Sequence, residues 1–306
     1  MENIEKNILI MSIQEILRKN KPDVKESSIK TYSNIVGKLC RNLELHFEED
    51  VFVKNKSKVM EYLKSVPIST QRSVISAIIA IHPDEHFKEL LDRANADYNA
   101  EKATGEATQK EKDNWVTQDE IRDKLDELKK LSKSTLSKKE KTSKDYQVIQ
   151  NYIILALTGG QFIPPRRLSD FTNLKINNIN PATDNYIKDH NILILNIYKT
   201  AGTYGEQEIN LPKKLVKIIH DFLKHTNHIN REYLLFDNYY QPMTSVKLNQ
   251  RLNAIFGGKK ISTNNIRHSY LTEKFGDNYD SLKNTATMMG TSVNTIQNHY
   301  IKSSYL

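Results

Sequence analysis

The chain has 306 residues, 38% hydrophobic and 27% charged, with a formal net charge of +8. That length allows two domains and a sizeable core, no apolar run approaches the ~18 residues of a membrane span, and the early acids and broken charge pattern of MENIEKNILIMSIQEIL make a secretory signal unexpected. A single cysteine, Cys40, excludes an internal disulfide and a cysteine-based zinc site, so an intracellular, reducing setting is expected. The positive balance favours a polyanionic partner. Neither G-x-x-x-x-G-K-[ST] nor G-x-G-x-x-G occurs, so no nucleotide, cofactor or metal is expected.

Residues 1–95 read as a small all-helical unit. SSIKTYSNIVGKLCRNL opens on serines suited to capping and sets Tyr32, Ile35, Leu39 and Leu43 on one face. STQRSVISAIIAIH repeats that design after Ser69 and Thr70, with Val74, Ile75, Ile78 and Ile79. Residues 96–114 are polar and small, without apolar periodicity, and read as a linker. From 115 to 306 a second domain is expected. TQDEIRDKLDELKKL has a Thr117 cap with acids in its first turn. The lysine-rich SKSTLSKKEKTSKD reads as a solvated loop, with a phosphate-facing loop as the alternative. YQVIQNYIILALTGG reads as a buried helix stopped by Gly159 and Gly160.

NILILNIYKTAGTYGEQEINLP changes character: a β-rich run, a loop holding Gly202 and Gly205, and a second short strand ending at Pro212. That pattern predicts a hairpin. Two further helices follow, PKKLVKIIHDFLKH opened by Pro212 and the capped TSVKLNQRLNAIFG. MMGTSVNTIQNHYIK reads as a short helix, a turn at Gly290 and a second helix carrying Tyr300.

Four residues along this second domain invite weighing together. Arg167 follows the diproline of PPRRLSDFTNL, where a helix should begin with Leu168, Phe171 and Leu174 inward. Backbone N–H groups at such a start favour an anion, although, taken alone, an arginine there reads first as capping its own domain through a carboxylate such as Asp170. Lys199 ends the first strand of the hairpin, a place where lysines usually serve solubility. Arg267 sits in ISTNNIRHSYL, a helix expected after a Ser262–Asn264 cap cluster with Ile266 and Tyr270 on its buried side. Tyr300 is the fourth, a core tyrosine or a nucleophile.

The ordered set resembles the tyrosine recombinase (phage-integrase) family. RRLSDFTNL looks like the family's R-x-x-[ED]-hydrophobic box, KTAGTYGEQEINLP like its lysine hairpin, STNNIRHSYLTEKF like its H-x-x-R-H segment and MMGTSVNTIQNHY like its glycine-to-tyrosine box. The helical N-terminal region is similar to the family's core-binding domain, so the resemblance spans nearly the whole chain. It implies a mainly α fold, a two-domain C-shaped clamp in which a small SAM-like helical domain is joined to a helical catalytic domain carrying a small antiparallel hairpin. It also implies strand transfer through a 3′-phosphotyrosyl intermediate and a Holliday junction, with Tyr300 as nucleophile, Arg167 and Arg267 as phosphate clamp and Lys199 as general acid. Asn264 and Thr291 stand where the family usually carries histidines, and His268 is adjacent as possible support. Asparagine takes no proton at neutral pH but still donates to a phosphate oxygen.

The partner implied is double-stranded DNA with inverted half-sites, bound by a dimer to tetramer of the chain, with no membrane and no nucleotide. Localisation is expected to be intracellular and DNA-associated. The abundance of Asn, Ile and Lys points to an AT-rich genome, and a viral or mobile-element origin fits the family. Three rival readings remain open: relaxation of supercoils in the manner of a type IB topoisomerase, a DNA-binding protein without catalysis, and a helical scaffold in which the four-box pattern is accidental. For the second, DSLKNTATMMGTSVNTIQNHY would be a helix-turn-helix with Gly290 in its turn.

Overall fold

A computed structural model describes residues 2–103, 106–289 and 293. The chain divides into two units, Met1–Glu106 and Ala107–Leu306. Both are mainly helical among the described residues, and a four-stranded sheet belongs to the second.

The first unit holds α1 (Glu2–Asn20), α2 (Glu26–Asn42), α3 (Val51–Lys54), α4 (Lys56–Lys64), α5 (Ile68–Ile81) and α6 (Glu85–Ala103). Its core gathers Ile13, Leu17, Val36, Leu39, Phe52, Ile78, Ile81 and Phe87. Gly37 gives α1 and α2 a close approach, since a Cβ there would stand 2.9 Å from Ile10 Cδ1 and displace the end of that side chain. The serines expected to cap α2 and α5 lie inside the helices instead. Lys25 and Pro67 occupy the N-cap positions, and neither helix has a side-chain cap. Pro67 has its φ fixed by the ring and lacks an N–H that would need a partner, which suits it to a helix start. Residues 96–114, read as a linker, are largely helical: α6 continues through Ala103, and α7 (Gln109–Asp113) follows with its own Thr108–Glu111 capping box.

The second unit continues with α8 (Gln118–Leu136), α9 (Ser143–Thr158), α10 (Leu168–Thr172), β1 (Leu174–Lys175), β2 (Asn185–Lys188), β3 (Ile192–Leu195), α11 (Ala201–Tyr204) and β4 (Gln207–Asn210). It ends with α12 (Lys213–His225), α13 (Ser245–Ile255) and α14 (Thr263–Met288). The capping boxes of Thr117 with Glu120 and Thr142 with Asp145 start α8 and α9, and Thr244 caps α13. The lysine-rich tract shrinks to the turn 137–142, because α8 runs on to Leu136 and Lys138 is tied to Asp145 at 2.5 Å.

The sheet order is β1-β2-β3-β4, with β1 and β2 parallel and the other pairs antiparallel. β3 and β4 form the expected hairpin, with Leu193 opposite Ile209. Two features differ from expectation. Lys199 lies four residues past the end of β3, in the connecting loop rather than on a strand. α14 is one continuous helix of 26 residues, so Asp280–Met288 forms its last turns and not a separate short helix. Its outer turns leave Leu271, Phe275 and Tyr279 exposed.

Candidate DNA-cleavage site

The site is assembled from the segment between α9 and α10. Gly159 ends α9, and Gly160 takes φ +85°, a left-handed conformation that a side chain resists. Pro164 and Pro165 hold the chain extended, and α10 begins only at Leu168, with Arg167 at its N-cap position (φ −72°, ψ 152°). Phe171 and Leu174 are fully buried and anchor the segment in the core.

Asp170 is 2% exposed, and its carboxylate is fully engaged. Arg166 Nε donates to Oδ2 at 2.9 Å and Ser169 Oγ donates to Oδ1 at 3.2 Å. The self-capping role weighed for Arg167 is therefore taken by its neighbour. Arg167 stays half-buried and, among the described residues, makes no hydrogen bond or ion pair.

The residues just before Lys199 are tied to the same segment. The Arg166 guanidinium lies 5.3 Å from the ring centre of the buried Tyr198. The Tyr198 hydroxyl in turn donates to Gly205 O at 2.6 Å, closing the base of the loop. Asn185, fully buried on β2, completes the attachment. Its Nδ2 donates to Asp170 O at 3.1 Å and Ile197 O at 2.8 Å, and its Oδ1 accepts from Asn196 N at 2.8 Å and Ile197 N at 2.7 Å. The Lys199 side chain is exposed and unpaired among the described residues.

Arg267 is brought in by α14. Ser262 and Asn265 exchange bonds at its start, and Ile266 is fully buried. Gln118, at the start of α8, donates to Ser269 Oγ on α14 at 3.4 Å and accepts at Oε1 from Gln161 Nε2 at 2.9 Å. The absent Cβ of Gly160 would stand 2.9 Å from Tyr270 Cδ2 and 3.5 Å from Pro165 Cδ. The turn leading to Arg167 is thus wedged against the first turns of α14. Arg267 and Tyr270 are three residues apart and share a side of that helix. Arg267 is half-buried and unpaired among the described residues, like Arg167.

Other arginines of this unit are consumed by the fold. Arg231 donates to Thr226 O and Oγ1 at the end of α12, and Arg251 is bound by Gln147 and Asn151. Burial pulls both guanidinium pKa values down to about 10. Arg167 and Arg267 differ from them in keeping their forks free. Holding two half-buried cations without acids costs stability, and an incoming anion would offset that cost.

Of the remaining candidates, Asn264 and His268 are exposed on the first turns of α14, with Asn264 three residues before Arg267 and so on its side of the helix. Tyr300 and Thr291 lie outside the described residues, as does Gly290 of the supposed helix-turn-helix. Sequence reasoning missed Arg166, Asn185, Tyr198 and Gln118. The Arg166–Asp170 spacing of four was a usable signal. Nothing in the chain order marks Asn185, whose partners lie 11–15 residues away.

Charge is distributed unevenly. Residues 107–306 carry 29 Lys and Arg against 20 Asp and Glu, whereas residues 1–106 carry 16 against 17. Among the described residues no helix is long and apolar enough to cross a membrane, and no cluster of His, Cys, Asp and Glu suits a metal ion.

The structure is similar to the crystal structure of XerA recombinase, at 14% identity and TM-score 0.35, covering 98% of this chain and 95% of that one. It is also similar to a lambda integrase (75–356) dimer bound to a COC′ core site, at 12% identity and TM-score 0.45, covering 89% and 92%. Both likenesses are weak. No family model matches the sequence, and no curated protein matches it significantly.

Proposed function

We propose that the chain is a site-specific DNA recombinase or integrase that cleaves and rejoins double-stranded DNA through a 3′-phosphotyrosyl intermediate. The observation that carries this reading is a pair of half-buried arginines without acid partners. They stand on segments packed against each other, and an unpaired lysine loop is pinned to the same segment.

In this reading Arg167 and Arg267 bind the non-bridging oxygens of the scissile phosphate, whose charge grows as attack proceeds. Fixed guanidinium forks suit that task and stay charged at any working pH. The Tyr300 phenol, ordinarily with a pKa near ~10, is favoured as phenolate by the same cations. Its oxygen bonds to phosphorus, the P–O5′ bond breaks, and Lys199 Nζ supplies the proton that the departing O5′ needs. Reversal by a second 5′ hydroxyl rejoins the strand without a nucleotide, since the phosphotyrosyl bond retains the phosphodiester's energy. Asn264 donates to a phosphate oxygen where a histidine would otherwise act, with His268 one turn further along α14 as possible support, and Thr291 offers a hydroxyl.

Phosphate contacts come mainly from residues 107–306, where the excess of positive charge lies. Copies of the chain occupy inverted half-sites and assemble from dimer to tetramer for strand exchange. The test is incubation with nicked suicide duplexes of randomised sequence, followed by denaturing electrophoresis. A covalent protein–DNA band is expected, absent in Tyr300→Phe. Arg167→Ala and Arg267→Ala should each slow its formation at least ~100-fold, since one such donor is worth about 3 kcal/mol, with only a modest loss of binding. A complete library giving no band, or a band persisting in Tyr300→Phe, would refute the reading.

A further inference from the structure

The loop that bears Lys199 carries a second exposed group that the reaction above does not use. Residues 198–205 form a closed unit: Tyr198 Oη donates to Gly205 O at 2.6 Å, and Gly205 N donates to Ala201 O at 2.8 Å. Arg166 lies over Tyr198 and fixes the base of the unit to the body of the domain. The tip, by contrast, stands clear. A Cβ built on Gly202 meets no heavy atom within 4 Å. On the return of this loop, one residue before Gly205, Tyr204 is 66% exposed, and among the described residues neither its ring nor its hydroxyl has a partner.

We propose that Tyr204 is a base-contacting residue, stacking on an unpaired base next to the phosphate that Lys199 serves. This rests on the DNA-cleavage reading and deepens it. An aromatic ring with few torsions, exposed on the same short closed loop as an exposed lysine, has the make-up of a nucleic-acid stacking platform. A core role is excluded by the ring's exposure. The ring can reach a base face only after the base leaves its stack, which costs least where the strand is broken or the base unpaired. The tip would therefore favour cut DNA over intact duplex and hold the cleaved state open for exchange.

The test compares two fluorescein-labelled duplexes of one sequence, one continuous and one with a central single-nucleotide gap that leaves a base unpaired. Binding is followed by fluorescence anisotropy. Wild type and Tyr204→Phe should bind the gapped duplex about tenfold more tightly than the continuous one, in line with the worth of one stacked base. Tyr204→Ala should lose that preference while keeping its affinity for the continuous duplex and its Tm. Equal binding of both duplexes by wild type, or a preference surviving in Tyr204→Ala, would overturn the proposal and leave the cleavage reading standing. Binding of neither duplex by wild type would overturn both.

Discussion

Replacing Asn185 by alanine tests whether the Lys199 loop is held by a buried amide. That amide serves four backbone groups: Asp170 O, Ile197 O, Asn196 N and Ile197 N. Asn185 is fully buried; its bond to Asp170 O is buried and the other three are part-buried, so truncation strips these groups of their partner beside a cavity that water can reach. Each buried polar group left without a partner costs about 1–3 kcal/mol. Water entering the space recovers part of that, and the net loss should be about 3–5 kcal/mol. Urea unfolding followed by tryptophan fluorescence reads this directly, because the single tryptophan, Trp115, belongs to the second unit. Asn185→Asp should be damaging too, since it keeps the acceptor but sets a carboxylate against two carbonyl oxygens. Covalent adduct formation should fall more than DNA binding in both variants. A loss below about 1 kcal/mol at unchanged m-value, with adduct formation intact, would show that the amide does not anchor the loop.

Gly160→Ala should lower stability by about 1–3 kcal/mol through its left-handed backbone alone. The added methyl would also push against Tyr270 and disturb the start of α14, so adduct formation should drop with the Tm; unchanged values for both would contradict the wedge described for that turn. Asp145 predicts a pH effect. Its carboxyl is held down at about 2 by the Lys138 ammonium and by the Thr142 N–H and hydroxyl. The stability it contributes is therefore fully present above the ordinary carboxylate pKa near 3.8 and is lost as pH falls through about 2. Asp145→Asn should lower the Tm at neutral pH and flatten its decline between those values, and an undiminished acid slope in the variant would count against the assignment.

Helices with strong apolar periodicity and a capping threonine, such as α8 and α13, were legible in the sequence, as was the glycine stop of α9. The starts of α2 and α5 were not, because capping serines and serines inside a first turn look alike until the backbone fixes which is which. β1, at two residues, is too short for alternation to register and depends on its neighbour in the sheet for its existence. Arg167, Lys199 and Arg267 stood out through their order along the chain. The residues that tether their segments did not. Arg166 competes with Arg167 for one aspartate, and only the backbone geometry before α10 awards it. Asn185 and Gln118 act across the fold, where chain order is silent.

The decisive feature is which atom becomes bonded to DNA. Protease digestion of the SDS-stable adduct, followed by mass spectrometry of the nucleotide-bearing peptide, identifies that atom's residue. The expected result is a phosphodiester on Tyr300, recovered from wild type and lost when Arg167 or Arg267 is replaced by alanine. A nucleotide attached to any other residue, or the same modification at undiminished yield in both arginine variants, would contradict it.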